Sequence, residues 1–199
     1  MTSTEIFRQI ERHLMEDVQP SQALEELFDR PLPPEFAPLW RLKTTEQSPV
    51  HHPEGNVWNH TMLVIDQAAK RRGESKYPEA LMWAALLHDI GKPDTTRVRR
   101  GKITSYNHEK VGASLARRFL SGFLTDKMLI ERVCMLIRYH MQILFVVRDL
   151  PFADVKGMKK RTDVEEVALL GLCDLMGRLH SNLATEEGKV QRFIEKCGR

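Results

Sequence analysis

Apolar residues along this chain recur every three or four positions, and no long alternating run marks a strand. Ile6, Phe7, Ile10 and Leu14 form one such face, preceded by a Thr2–Glu5 pair in capping-box spacing. Gln19–Pro20–Ser21 interrupts the pattern, and Ser21 is placed to cap a second helix carrying Leu24, Leu27 and Phe28. Pro31, Pro33, Pro34 and Pro38 predict a stiff bend around a short helical turn, and residues 42–55 read as a polar loop. A helix is predicted over 57–72, with Val57, His60, Val64 and Ala68 close to one stripe. Segment 78–90 is apolar nearly all round from Leu81 to Leu87, which predicts a helix buried in the middle of a bundle and stopped by Gly91. Residues 95–105, with Gly101 among β-tolerant neighbours, predict a short hairpin or an ordered loop. Further helices are predicted from Ser105 or Asn107 to 120, from Thr125 or Asp126 to 140, and briefly to Arg148 before Pro151. A basic stretch, Lys156–Arg161, precedes a helix capped by Thr162 or Asp163 and running to about 179. Glu186–Cys197 reads as a last amphipathic turn or two. Without repeats or a clear linker, the pattern predicts a single all-α bundle.

Composition narrows the class. Of 199 residues, 42% are hydrophobic and 29% charged, which suits an ordinary soluble globule. Cys134, Cys173 and Cys197 are odd in number and form no CxxC pair, which argues against a disulfide scaffold and for a reducing cytoplasm. No apolar leader or membrane span is visible, so no membrane partner is expected. The net charge of +3 allows phosphate-bearing partners without demanding a protein that coats nucleic acid. Eight histidines, as many as the phenylalanines, are the unusual count, and their positions matter more than their number.

His88–Asp89 closes the most apolar helix in the chain. With eight histidines and ten aspartates, chance supplies about 0.4 such pairs, so only the surroundings give this one meaning. An imidazole and a carboxylate buried there are costly unless paired or bound to a metal, and a carboxylate at a helix C-terminus opposes the dipole. The plain alternative is a hydrogen-bonded His beside a helix-terminal Asp. His60 lies on the preceding helix, His108 opens the helix after the hairpin, and His140 closes the next. Asp174 lies within the apolar run Leu169–Met176 and needs a partner. Each alone is more often structural; their joint order is far more specific. Imidazole and carboxylate donors suit Mn, Fe, Co, Ni or Zn, or Mg where water and carboxylate dominate.

The order His60, His88–Asp89, His108, His140, Asp174 resembles the HD-domain superfamily of metal-dependent phosphohydrolases. The likeness is closest to the HD domain of bacterial CCA-adding enzymes. His51–His52–Pro53–Glu54–Gly55, Val57–Trp58 and His60–Thr61 resemble its HHPEG-x-VW-x-HT stretch, and Leu86 to Pro93 resembles its LLHDIGKP. His108–Glu109, His140–Met141 and Asp174 with Gly177–Arg178 resemble its later elements, and the similarity spans roughly residues 20–180. Asn56 and Asn107 stand where the family often has Asp and Gly. The nucleotidyltransferase segment of those enzymes is not found in these 199 residues, so nucleotide addition is not expected of them.

The resemblance implies residues 1–50 as a helical lead-in, 51–184 as the HD domain and 185–199 as a helical tail. It implies one or two divalent ions, with His60, His88, Asp89 and Asp174 holding one, His108 and His140 completing a second, and Asp89 bridging. It implies hydrolysis of a phosphomonoester or a cyclic or linear phosphodiester, of a nucleotide or an RNA end; such HD domains are associated with 2′,3′-cyclic phosphodiesterase, 2′-nucleotidase and phosphatase activity. Asp89 and Lys92 are the catalytic candidates. Lys92 is placed to touch a phosphate oxygen, with a helix C-cap cation as its alternative. Arg97 and Arg100, in a loop with Arg99 and Lys102, are candidates to screen a phosphate, with a solvated hairpin as the alternative. Arg178, one turn beyond Asp174, is a candidate either to contact phosphate or to support a metal ligand from behind, and Glu54 with His52 is expected at the pocket rim. His13 and His180 read as surface or packing, Trp58 and Trp83 as core, and Cys173 as a small buried apolar residue. The rival class is a non-catalytic nucleotide- or tRNA-binding HD module, in which one or more ligands would be lost; a metal-dependent oxygenase on the same fold is a third reading.

Overall fold

The computed structural model describes residues 1–198. Twelve α-helical segments and one hairpin follow in order among them. Helix α1 (Ser3–Glu16) starts with the Thr2–Glu5 capping box, both halves of which form. Helix α2 (Pro20–Phe28) leads to a bend in which two 3₁₀ turns flank α3 (Ala37–Trp40). Next come α4 (Val57–Arg71), α5 (Pro78–Leu87), α6 (Lys92–Thr95), the antiparallel strands β1 (Arg97–Arg99) and β2 (Lys102–Thr104), and α7 (His108–Ser121). Helices α8 (Lys127–Tyr139), α9 (Gln142–Val147), α10 (Val155–Lys159), α11 (Val164–Met176) and α12 (Leu183–Gly198) complete the bundle.

The all-round apolar helix takes the central place. Every α5 residue from Ala80 to Leu87 is buried, and α1, α4, α8 and α11 pack around it. Each fully buried Leu or Met there contributes roughly 1.5–3 kcal/mol over the exposed state. Trp83 stacks on Phe7 of α1 at 4.6 Å between ring centroids, and Phe7 in turn stacks on Phe123 at 4.5 Å. Trp58 and Cys173 are core residues, as their apolar neighbours predict. No helix among the described residues is long and apolar enough to cross a membrane.

Several local expectations are corrected. Ser21 does not cap α2. Gln19 precedes the helix without a side-chain bond, and Pro20 supplies the first-turn φ instead. Ser21 donates both its N–H (3.0 Å) and its hydroxyl (2.7 Å) to Asp66, tying α2 to α4. Part of the basic stretch at 156–161 is helical, because the Asp154 carboxylate accepts from the Gly157 N–H at 2.9 Å and starts α10. The C-terminal turns are a sixteen-residue helix, held by buried Phe193 and Cys197 where α12 packs on α9 and α11.

The correction that bears on the site concerns Gly91. Helix α5 ends at Leu87, three residues before Ile90; His88–Gly91 is a turn, and a second short helix begins at Lys92. A Cβ on Gly91 would lie 2.2 Å from the His108 carbonyl oxygen and 2.6 Å from the Gly112 nitrogen. The glycine therefore lets the first turn of α7 close onto the His88–Asp89 turn. Gly91→Ala is expected to cost about 1–3 kcal/mol as overpacking. The measurement is a lower urea midpoint at unchanged slope; an unchanged midpoint would mean that α7 withdraws freely.

Candidate metal centre

Five helices bring their ends to one end of the bundle. His60 lies in the first turn of α4, His88 and Asp89 just beyond α5, His108 at the start of α7, His140 at the end of α8, and Asp174 in the last turn of α11. All six side chains are buried. Asn107, at φ +62°, turns the chain into α7 in the left-handed region that glycine and asparagine tolerate. Asn56 caps α4 by accepting from the Asn59 N–H at 2.9 Å, the role an aspartate would fill.

The four rings share one arrangement. Each Nδ1 has its own oxygen: Glu54 Oε1 for His60 (2.8 Å), and the carbonyls of Ala85, Ser105 and Ile137 for His88, His108 and His140 (2.7–2.8 Å). These bonds assign the proton to Nδ1 and leave the Nε2 lone pairs facing inward. Two triads result, His60–His88–Asp174 and Asp89–His108–His140, the donor atoms within each lying no more than 4.8 Å apart. Asp89 reaches both, with Oδ2 3.2 Å from His88 Nε2 and Oδ1 3.3 Å from His108 Nε2 and 4.0 Å from His140 Nε2.

A cation suits this geometry. His108 and His140 place their Nε2 atoms 3.2 Å apart, and neither ring can donate across that gap without giving up its Nδ1 bond. His88 Nε2 is buried with no hydrogen-bond partner, its lone pair facing Asp89 Oδ2 at 3.2 Å. Burial lowers the pKa of His108 to about 3 and also depresses His140, so both rings are neutral donors. For Asp89 and Asp174, burial alone would raise the pKa. The surrounding cations outweigh it, Lys92 at Asp89 and Arg178 at Asp174 foremost, and hold both carboxyls well below the usual range. His60 Nε2 lies 3.0 Å from Asp174 Oδ1; the two carboxylates flanking His60 raise its pKa against burial. A proton there occupies the lone pair that a metal ion would take.

The other candidates divide. Lys92 is buried at the first residue of α6, so the C-cap reading does not hold; its Nζ lies 2.6 Å from Asp89 Oδ2 and bonds Gln47 Oε1. Arg178 is half-buried, with Nη2 3.6 Å from Asp174 Oδ1 and its Nε buried without a partner. Glu54 is not on the rim. It sits behind His60, also bonding His52 Nδ1 (2.9 Å), and these bonds override the burial penalty and take its pKa to about 2. Arg97 and Arg100 point away into solvent on the hairpin, where Arg97 bonds the Thr96 carbonyl. The hairpin's contribution to the site comes instead from Gly101–Tyr106, which lines a cavity of about 750 Å³ together with Gln47, His51 and His52. Asp89, Lys92, His108, His140, Asp174 and Arg178 face the same cavity. Gln47 was not legible as a Lys92 partner, since forty-five residues separate them.

The family model described as HD domain matches residues 57–174, more than half of the chain. A "Multifunctional CCA protein" of Actinobacillus pleuropneumoniae serotype 5b (strain L20) is 35% identical over 107 residues, 54% of this chain and 25% of the relative. Proteins of the same name from Aromatoleum aromaticum and Pseudomonas fluorescens (strain SBW25) are 34% and 31% identical, over 69% and 70% of this chain and 34% and 33% of theirs. The chain thus spans about a third or less of the curated relatives it matches.

Glu54→Gln is expected to weaken divalent metal binding by roughly 10–100-fold, because the neutral amide holds His60 less firmly in its donor tautomer. Competition with a chromophoric chelator measures this, and an unchanged affinity would remove Glu54 from the centre.

Proposed function

This chain belongs to the HD domain family, and on that premise we propose that it is a metal-dependent phosphohydrolase. Its substrate is a phosphomonoester or phosphodiester, of a nucleotide or an RNA end. The observation that carries the reading is the complete set of six candidate ligands, His60, His88, Asp89, His108, His140 and Asp174, in two adjacent triads, with Asp89 of one reaching His88 of the other at 3.2 Å. Imidazoles supply neutral donors, so the site keeps a positive balance and draws an anion. The nucleotide or RNA class is taken from the CCA proteins that the chain resembles, whose activities as whole proteins are not transferred to this region.

Divalent ions at these ligands, when bound, supply an activated water and offset the charge of a phosphoryl group. The chain's own residues do the rest. The Nδ1 bonds of the four histidines fix the rings before substrate arrives, so no reorganisation is needed during reaction. Lys92 and Arg178 bring cations to the same cavity floor, where each can exchange a carboxylate contact for a phosphate oxygen. The unpartnered Nε of Arg178 is a donor already free of solvent. His52 stays neutral at physiological pH, since burial and the neighbouring cations lower its pKa to about 4, and so adds no charge to the wall.

Purified protein is expected to carry stoichiometric divalent metal and, when reconstituted, to hydrolyse bis-p-nitrophenyl phosphate or 2′,3′-cyclic AMP. Absence of both metal and turnover would overturn the reading in favour of a non-catalytic binding module. Asp89→Ala is expected to lower kcat/KM by at least ~100-fold, the value of a few kcal/mol of lost charge stabilisation. Full activity in that variant would sink the assignment of Asp89.

A further inference from the structure

A second cavity, of about 330 Å³, reaches the same centre from between α9, α11 and α12. Ile143, Leu144 and Val147 of α9 and Leu175 of α11 make its walls apolar, and Arg148, Lys189 and Arg192 stand at its margin. Its size falls within the ~300–1,000 Å³ of small-molecule sites. His140, Met141, Asp174 and Arg178 line both this chamber and the larger one that holds Lys92 and Tyr106. The candidate metal centre therefore opens on two chambers.

A phosphomonoester or a cyclic phosphodiester has one organic arm and fills one chamber, whereas a linear phosphodiester has two. The cations of the smaller chamber also exceed the need of a single phosphate at the centre, which Lys92 and Arg178 already serve. Lys189 is engaged by Glu186, at 2.7 and 2.9 Å. Arg148 and Arg192 are exposed and form no ion pair among the described residues. Two free guanidinium groups above an apolar wall suit a ring carrying a further phosphate. Two of the three marginal cations come from α12, which lies outside the family-matched residues 57–174, so that side of the chamber's margin lies beyond the family match.

We propose, resting on the phosphohydrolase reading, that the substrate is a linear phosphodiester. One nucleoside arm occupies the large chamber, and a second arm bearing another phosphate lies against α9 and α12. Hydrolysis forms one P–O bond from the water oxygen and breaks one ester P–O bond. The departing oxygen takes a proton, leaving a monoester on one side and an alcohol on the other.

The test is equilibrium binding to the chelator-treated, metal-free protein of 5′-phosphorylated adenylyl dinucleotide, with AMP for comparison. The dinucleotide is expected to bind more tightly than AMP. Arg192→Glu and Arg148→Glu are each expected to weaken dinucleotide binding about tenfold, the value of a charge-assisted contact. Arg118→Glu, the same charge change on the exposed face of α7, is expected to leave it unaltered. Equal affinity for dinucleotide and AMP would overturn the proposal, as would equal losses in all three variants or in none. Turnover of the dinucleotide to AMP by the reconstituted protein is the supporting kinetic result. If no phosphoester is turned over while the binding differences persist, the hydrolase reading fails and two-armed recognition stands.

Discussion

Asp89 and Asp174 are both buried where helix ends meet, and neither has a solvent shell to carry its charge. A carboxylate in that position persists only if cations or donors surround it. Much of the local structure follows from that requirement. Lys92 is drawn out of solvent onto Asp89, Arg178 leans over Asp174, and three imidazole Nε2 atoms crowd within about 4 Å of the Asp89 oxygens. Even so the compensation is incomplete. His88 Nε2 lacks a hydrogen bond and faces the Asp89 carboxylate, and the His108 and His140 lone pairs face one another. The polar cluster is thus short of positive charge at its centre, a condition that divalent cations relieve.

The scaffold keeps this costly arrangement from collapsing. Helix α5 is buried on all sides, so its C-terminal end cannot shift without disturbing α1, α4, α8 and α11 together. Gly91 admits α7 to van der Waals contact with the turn, which sets the distance from His88–Asp89 to His108. The three backbone carbonyls that orient His88, His108 and His140 each lie three residues upstream of the ring they hold. Ring orientation is therefore tied to the helix ends themselves, and only His60 depends on a side chain, Glu54, for its anchor.

The two chambers give the fold its asymmetry. The larger is walled on its outer side by the 47–52 loop and the hairpin. The smaller is made by helices, and its cations come mainly from the last one. The outer walls of both chambers are thus set by elements outside the central helices that carry the candidate ligands.

The order of the histidines and aspartates, the central apolar helix, the cap at Thr2 and, to within one residue, the caps at Asp126 and Asp163 were legible in the sequence, because each is a local pattern with a local cause. Periodicity predicts a buried helix at 81–87, and burial of the charged pair that follows demands partners. The roles of Glu54, Gln47, Arg97 and Arg100 were not legible. Glu54 lies six residues before His60 and its spacing reads as a rim residue; only the turn into α4 decides that it stands behind the ring. Arg97 and Arg100 follow the His88–Asp89 turn closely in sequence, yet the hairpin directs them into solvent. The sequence by itself determined which donor atoms this protein owns and that they must be buried together. The tertiary structure decided which lone pairs meet, which cations reach them and that two chambers open on the result, because those outcomes depend on distances between helices that no local pattern encodes.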